Sequence, residues 1–136
     1  MTSTELQYPY EIEIEIRPSD IDQLGHVNNV VYLKWVQDVA TAHWYASATD
    51  EQKASLLWVV TKHEIEYKRP AFVQDVVIAS TWVGKANHRF FERHTELRRK
   101  SDGKLLAKAT TLWAPVDMNT KKPVEVGQDV YEMFST

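Results

Sequence analysis

The sequence contains no cysteine. That absence excludes disulfide scaffolds, thiol nucleophiles and thiolate metal sites together. It is neutral about compartment, although secreted domains of this size often carry disulfides. An excess of positive charge is also missing: the formal net charge is −3 and the pI is near 5.9. Nucleic-acid binding leaves a basic footprint, so no such partner is expected. No run approaches the ~20 apolar residues that a spanning helix requires. The N-terminal stretch MTSTELQYPYEIEIEI is acidic and alternating, without a basic region or a continuous apolar segment, and does not read as a signal peptide. The expectation is a cytoplasmic protein with no membrane partner.

What remains is an ordinary globular composition, 43% hydrophobic and 26% charged, in 136 residues. That length suits one domain, 1–136, and is long enough to bury a core without metal or disulfide staples. Tyr10, Ile12, Ile14 and Ile16 alternate with Glu11, Glu13, Glu15 and Arg17, a period of two that predicts a strand with one buried face. Arg17-Pro18 ends it, because proline donates nothing to a ladder. A polar loop follows over 18–28. A helix is then expected from about Asn29 to Ala46, with Val31, Trp35, Val39 and Ala42 on one stripe and Tyr32, Val36, Ala40 and His43 beside it. Asn28 or Asn29 would cap it.

After a polar connection over 47–56 with room for one helical turn, strand patterns return over 57–69, 75–84, 88–99 and 104–116. In the first of these, Leu57, Val59, Thr61, His63, Ile65 and Tyr67 are expected to share a face. The 75–84 run is apolar on both faces and reads as a central strand. Ser101-Asp102-Gly103-Lys104 predicts a type I′ hairpin turn. A short helix is expected from about Gln128. One early helix followed by long antiparallel strands gives an α+β layer in which the sheet wraps the helix. Open sheet edges and an aromatic load of five Trp, six Tyr and four Phe point to a homo-oligomer.

The densest chemistry lies in Asp20 to Trp35, DIDQLGHVNNVVYLKW. A helix N-terminus presents free N–H groups and a partial positive charge, which can hold an oxyanion. A carboxylate beside it can attack an acyl carbon or deprotonate water. Carboxylate plus helix start is therefore a minimal acyl-transfer site. Each Asp or Asn taken alone reads as a helix cap, and His26 alone as a hydrogen-bonding residue. Asp20, Asp22 and His26 would also serve as O, O, N ligands of a metal-dependent hydrolase, although no second ligand set stands at metal spacing. His63 reads as a core or interface histidine able to approach the site. Lys85, His88 and Arg89 read as solvated turn residues or as phosphate contacts.

Asp20-Ile21-Asp22-Gln23-Leu24-Gly25-His26-Val27-Asn28-Asn29, with Tyr32 after it, resembles the signature of hotdog-fold acyl-CoA thioesterases of the 4-hydroxybenzoyl-CoA thioesterase type. It is also similar to acyl-ACP thioesterases. Tyr67-Lys68-Arg69-Pro70-Ala71 and Lys122-Pro123-Val124 agree as well. The resemblance implies a long central helix wrapped by a five-stranded antiparallel sheet, and a dimer or dimer of dimers. It implies Asp22 as nucleophile or general base and the backbone N–H of Asn29 as the oxyanion donor. Tyr32 and Trp35 would line the acyl pocket; His26, His63, Lys85 and Arg89 complete the expected substrate contacts. No cofactor and no metal are implied. Acyl-CoA is the expected substrate, with acyl-ACP hydrolysis or non-catalytic acyl-CoA binding as alternatives. Three departures bear on this. Leu24 stands where acyl-ACP thioesterases carry asparagine. Ala86 and Asn87 stand where the CoA enzymes carry paired arginines. Asp22 and His26 are four positions apart, whereas hotdog hydratases use five.

Overall fold

A computed structural model describes residues 9–134. Its elements in chain order are β1 (Tyr10–Glu15), a 3-10 turn (Pro18–Asp20), α1 (Asn29–Ser47), α2 (Asp50–Ser55), β2 (Leu56–Tyr67), β3 (Val76–Ala86), β4 (Phe91–Arg99), β5 (Leu105–Asp117) and α3 (Gln128–Phe134). The five strands form one sheet in the order β1-β3-β4-β5-β2, every neighbouring pair antiparallel. This is the α+β arrangement expected: one long helix against a five-stranded antiparallel sheet.

The packing follows from the sequence pattern. Helix α1 buries Tyr32, Trp35, Val36 and Val39 against Val77, Ala79, Leu97, Leu106, Ala107 and Ala109 of the sheet. The three alanines leave room for the large helix side chains, as close packing requires. Ile12 and Ile14 of β1 close one side of this cluster. A second cluster joins Trp44 near the end of α1 to Val83, Phe91, Val126, Val130 and Phe134. Helix α3 thus covers the far end of the sheet.

Three local features depart from the sequence pattern. Val60 pairs Trp113 while Lys62 pairs Leu112, so Thr61 is an extra residue in β2. A bulge of this kind reverses which residues face inward. Before it, Leu56 and Trp58 pack on the core while Val59 is 46% exposed; after it, Ile65 faces the core. The single face expected from Leu57 to Tyr67 is therefore two half-faces. Strand β4 starts at Phe91 rather than 88. Asn87 Oδ1 accepts from the N–H of Arg89 at 2.7 Å and of Phe90 at 3.0 Å, and that side-chain turn displaces the ladder. The β4–β5 turn is not type I′, which needs two positive φ values: Gly103 has φ 71° and Asp102 is not in the left-handed region. Gly103 N donates to Arg99 O at 2.7 Å and Arg99 N to Lys104 O at 2.9 Å, closing a four-residue loop instead.

Candidate active site

The loop between β1 and α1 is held almost entirely by its own backbone. Asp20 Oδ2 accepts from Arg17 N at 2.9 Å, fixing the 3-10 turn. Ile21 and Val27 form an isolated antiparallel bridge. Asp22 N donates to His26 O at 2.9 Å and Gly25 N to Asp22 O at 3.1 Å. Residues 22–26 are thereby folded into a tight loop. Gly25 closes it at φ +86°, a conformation that L side chains rarely adopt. Val27, almost fully buried, donates its N–H to Ala71 O at 2.8 Å and anchors the loop to the core.

Two outcomes of this folding matter for chemistry. Asp22 Oδ1 accepts from Leu24 N at 2.8 Å, which fixes the carboxylate, while Oδ2 faces His26 Nδ1 at 3.9 Å. That separation is an ion-pair distance and too long for a hydrogen bond. The second outcome is at the helix start. Asn28 is the N-cap: its Oδ1 accepts from Val30 N at 3.0 Å and its carbonyl from Val31 N at 2.9 Å. Asn29, the first helical residue, has a backbone N–H with no acceptor among the described residues. A carboxylate oxygen without a donated hydrogen bond and a free helix N–H thus flank one loop. Around them Leu24 and Val30 are 77% and 70% exposed, and Phe72 and Val73 are exposed as well. Phe72 meets the His26 ring edge-on with centroids 6.5 Å apart.

The 70–75 loop that carries Phe72 is itself fixed. Arg99 donates from Nη2 to Pro70 O at 2.9 Å and from Nε to Asp75 Oδ2 at 3.2 Å, and the same Oδ2 accepts from Phe72 N at 2.9 Å. Sequence reasoning missed Arg99; its signal was only an arginine at the end of an alternating strand.

Other expected site residues are placed elsewhere. Tyr32 and Trp35 lie in the main core, and Tyr32 Oη donates to Arg69 O at 3.0 Å. Burial pushes the Tyr32 phenol up to about 12, so it stays neutral. His63 Nε2 is 3.3 Å from Gln37 Nε2 and its Nδ1 is 2.8 Å from Thr111 Oγ1. With the amide nitrogen donating, His63 carries its proton on Nδ1, and burial lowers its pKa. Gln37 is two helical turns beyond Asn29, so His63 does not reach Asp22 within one chain. Lys85 is nine residues along β3 from Val76, about 30 Å at strand rise, and Val76 pairs with Glu15 at the Asp22 end of the sheet. Arg89, in the turn after β3, lies at that far end too, with Nε 3.4 Å from His88 Nε2. Asp20 turns its carboxylate to Arg17 N, away from a shared ligand set with Asp22 and His26. Among the described residues no three His, Asp or Glu side chains converge to hold a metal ion, and no helix is long and apolar enough to cross a membrane.

Known proteins share both the sequence and this architecture. A chloroplastic acyl-[acyl-carrier-protein] hydrolase of Cuphea viscosissima is 28% identical over 130 residues, covering 92% of this chain and 31% of its own. The chain thus spans about a third of the length of that plant relative. The long-chain acyl-CoA thioesterase of Escherichia coli (strain K12) is 21% identical over 127 residues, covering 90% of this chain and 94% of its own. Among solved structures, a 1,4-dihydroxy-2-naphthoyl-CoA thioesterase from Synechocystis superposes with a TM-score of 0.80 at 15% identity, over 93% of this chain and 96% of that one. A thioesterase from Thermus thermophilus, solved with coenzyme A and zinc, gives 0.79 at 21% identity, over 91% and 90%. The fold is the hotdog fold. Residues 16–134, from the residue after β1 to the last described residue of α3, match the thioesterase-like superfamily, and the chain belongs to that family.

Proposed function

We propose that the protein hydrolyses acyl-CoA thioesters to the free acid and CoA, with Asp22 as the reacting carboxylate. The observation that carries this reading is that one loop holds an Asp22 Oδ2 that accepts no hydrogen bond among the described residues and ends at an Asn29 N–H without an acceptor, at the start of a 19-residue helix. Asp22 Oδ2 removes a proton from water as the water oxygen bonds to the thioester carbon. The carbonyl oxygen becomes an oxyanion held by Asn29 N–H and the helix dipole. Collapse of that intermediate breaks the C–S bond, and the proton passes to the departing thiolate. Direct attack by Oδ2 would use the same groups through an acyl anhydride, which water then cleaves. Label found in Asp22 after a single turnover in ¹⁸O water would identify the anhydride route, since only that route can place it there.

His26, with Nδ1 3.9 Å from Oδ2, stands beside the carboxylate and lines the entrance with Phe72. The exposed apolar rim of Leu24, Val30, Phe72 and Val73 suits an acyl group or a second subunit. A dimer through the open edge of β2 would supply that second subunit and bring Lys85 and Arg89 from the partner's sheet as candidate phosphate contacts. CoA is read here as the carrier, in keeping with the E. coli long-chain acyl-CoA thioesterase among the relatives. Leu24, in place of the asparagine of acyl-ACP enzymes, agrees.

A screen of acyl-CoAs of graded chain length and of aromatic acyl-CoAs tests the function, with CoA release followed by a thiol-reactive chromophore. Turnover that outruns the protein concentration supports an enzyme. Tight stoichiometric binding with no CoA release would make the chain a binding module instead.

A further inference from the structure

A cavity of about 220 Å³ lies between the C-terminal half of α1, the start of β2 and α3. Its walls are aromatic: Trp44, Trp58, Phe91, Trp113 and Phe134. Its charged residues are Arg93 and Lys53, and no carboxylate among the described residues lines it. Lys53 Nζ is already 3.5 Å from Asp50 Oδ1. Arg93 is different. It projects from an inward position of β4, is only 6% exposed, and forms no ion pair among the described residues. Nη1 donates to His43 Nδ1 at 2.9 Å and to Thr81 Oγ1 at 3.3 Å, and the guanidinium carbon sits 5.3 Å from the Phe134 ring centroid.

None of these partners neutralises the charge. His43 accepts from a cation, and burial together with that guanidinium lowers its pKa to about 4, so it is a neutral acceptor. A buried guanidinium without a carboxylate is unusual, because desolvating a charge is costly unless it is paired. Arginine has five N–H donors, and its Nε and Nη2 have no acceptor among the described residues. Two further wall residues, Trp58 and Trp113, keep buried Nε1–H groups without an acceptor. The wall therefore offers donors and a positive charge, and its complement is an anion that accepts hydrogen bonds. Size limits the rest: a cavity of about 150 Å³ takes a benzene ring, so this one has room for a ring and one small charged group.

We infer that this cavity binds a compact aryl carboxylate, with the carboxylate bridging Nε and Nη2 of Arg93 and the ring held among the tryptophans. Bidentate guanidinium–carboxylate pairing is the strong, geometrically defined form of this contact. The site is separate from Asp22 within the chain, since Ala40 to Trp44 lie about 17–22 Å beyond Asn29 along α1. It does not depend on the thioester reading.

Benzoate is the probe. Titration into the full chain, read by calorimetry and by quenching of the wall tryptophans, should give one saturable site. Benzyl alcohol, with the ring and no charge, should bind at least about tenfold more weakly, and acetate should not compete at equal concentration. Arg93→Met should weaken benzoate by roughly tenfold to a hundredfold, the range for one charged hydrogen-bonded group. Its thermal midpoint without ligand should equal or exceed that of the wild type, because an uncompensated buried charge is gone. Arg93→Lys keeps the charge but not the fork, and should fall between the two. If Arg93→Met does not fold, Arg93→Lys decides: weakened benzoate supports the site and unchanged benzoate overturns it. Asp22→Asn should bind benzoate as the wild type does. The inference is overturned if benzoate does not bind, if benzyl alcohol binds equally well, if Arg93→Met retains full affinity, or if Asp22→Asn abolishes binding.

Discussion

Asn28 offers a way to separate the stability of the helix start from its catalytic use. Its side chain accepts from Val30 N at 3.0 Å, while the neighbouring Asn29 N–H is left free. Asn28→Ala removes a cap, a loss of about 1 kcal/mol. In a chain of this size that lowers the thermal midpoint by roughly 3–5 °C. Asn28→Asp keeps the cap oxygen and adds a negative charge at the positive end of the 19-residue helix, worth about 0.3–1 kcal/mol of added stability. The same charge stands beside the oxyanion that the reaction develops. At a separation of about 5 Å and an effective dielectric of 20, two like charges repel by about 3 kcal/mol, on the order of a hundredfold in rate. The aspartate variant should therefore be as stable as the wild type or more so, yet much slower, whereas the alanine variant should be less stable and closer to wild-type rate. Thermal unfolding by circular dichroism and CoA release by a thiol assay read the two quantities. An aspartate variant that hydrolyses at the wild-type rate would refute the placement of the oxyanion at Asn29.

Gly25 and His43 carry two more predictions. Gly25→Ala meets no atom within 4 Å but must adopt φ +86°, so it should cost about 1–2 kcal/mol through backbone strain alone; because Gly25 N holds Asp22 O, activity should fall further than stability, as paired denaturant and turnover curves would reveal. His43 has a pKa of about 4 in the folded chain against 6.5 unfolded, so the unfolded state takes up the extra proton between those values and stability falls as pH drops from 6.5 to 4. At pH 5 that amounts to roughly 2 kcal/mol relative to pH 7, and the unfolding free energy of the wild type relative to His43→Gln, read from urea curves, should fall by about that amount between pH 7 and pH 5; an unchanged difference would contradict it. His63 is shifted in the same direction, which is why the comparison is made with a His43 variant.

Much of this was readable in the residues, for physical reasons that differ by element. The strict alternation of Tyr10 to Arg17 admits only a half-buried strand, and α1 matches its apolar stripe because burial against the sheet requires that stripe. The loop from Asp20 to Asn29 was legible because its bonds are local, each made within a few residues. Features decided by distant partners were not. Thr61 is an extra residue only because of how Val60 and Lys62 pair with β5, which nothing in β2 itself announces. Arg93 looked like one more charge in a half-polar strand, although its place in the 91, 93, 95, 97 alternation put it on the buried side.

The central claim is that one carboxylate, Asp22, performs the acyl chemistry. Its most direct measurement is kcat/KM of Asp22→Asn on the best acyl-CoA of the panel, beside the oligomeric state and thermal midpoint of the same preparation. The substitution keeps the side-chain oxygen that Leu24 N binds at 2.8 Å, so fold and assembly should survive while kcat/KM falls by about 10²–10⁴-fold. A folded Asp22→Asn protein that hydrolyses acyl-CoA at the wild-type rate would contradict the account.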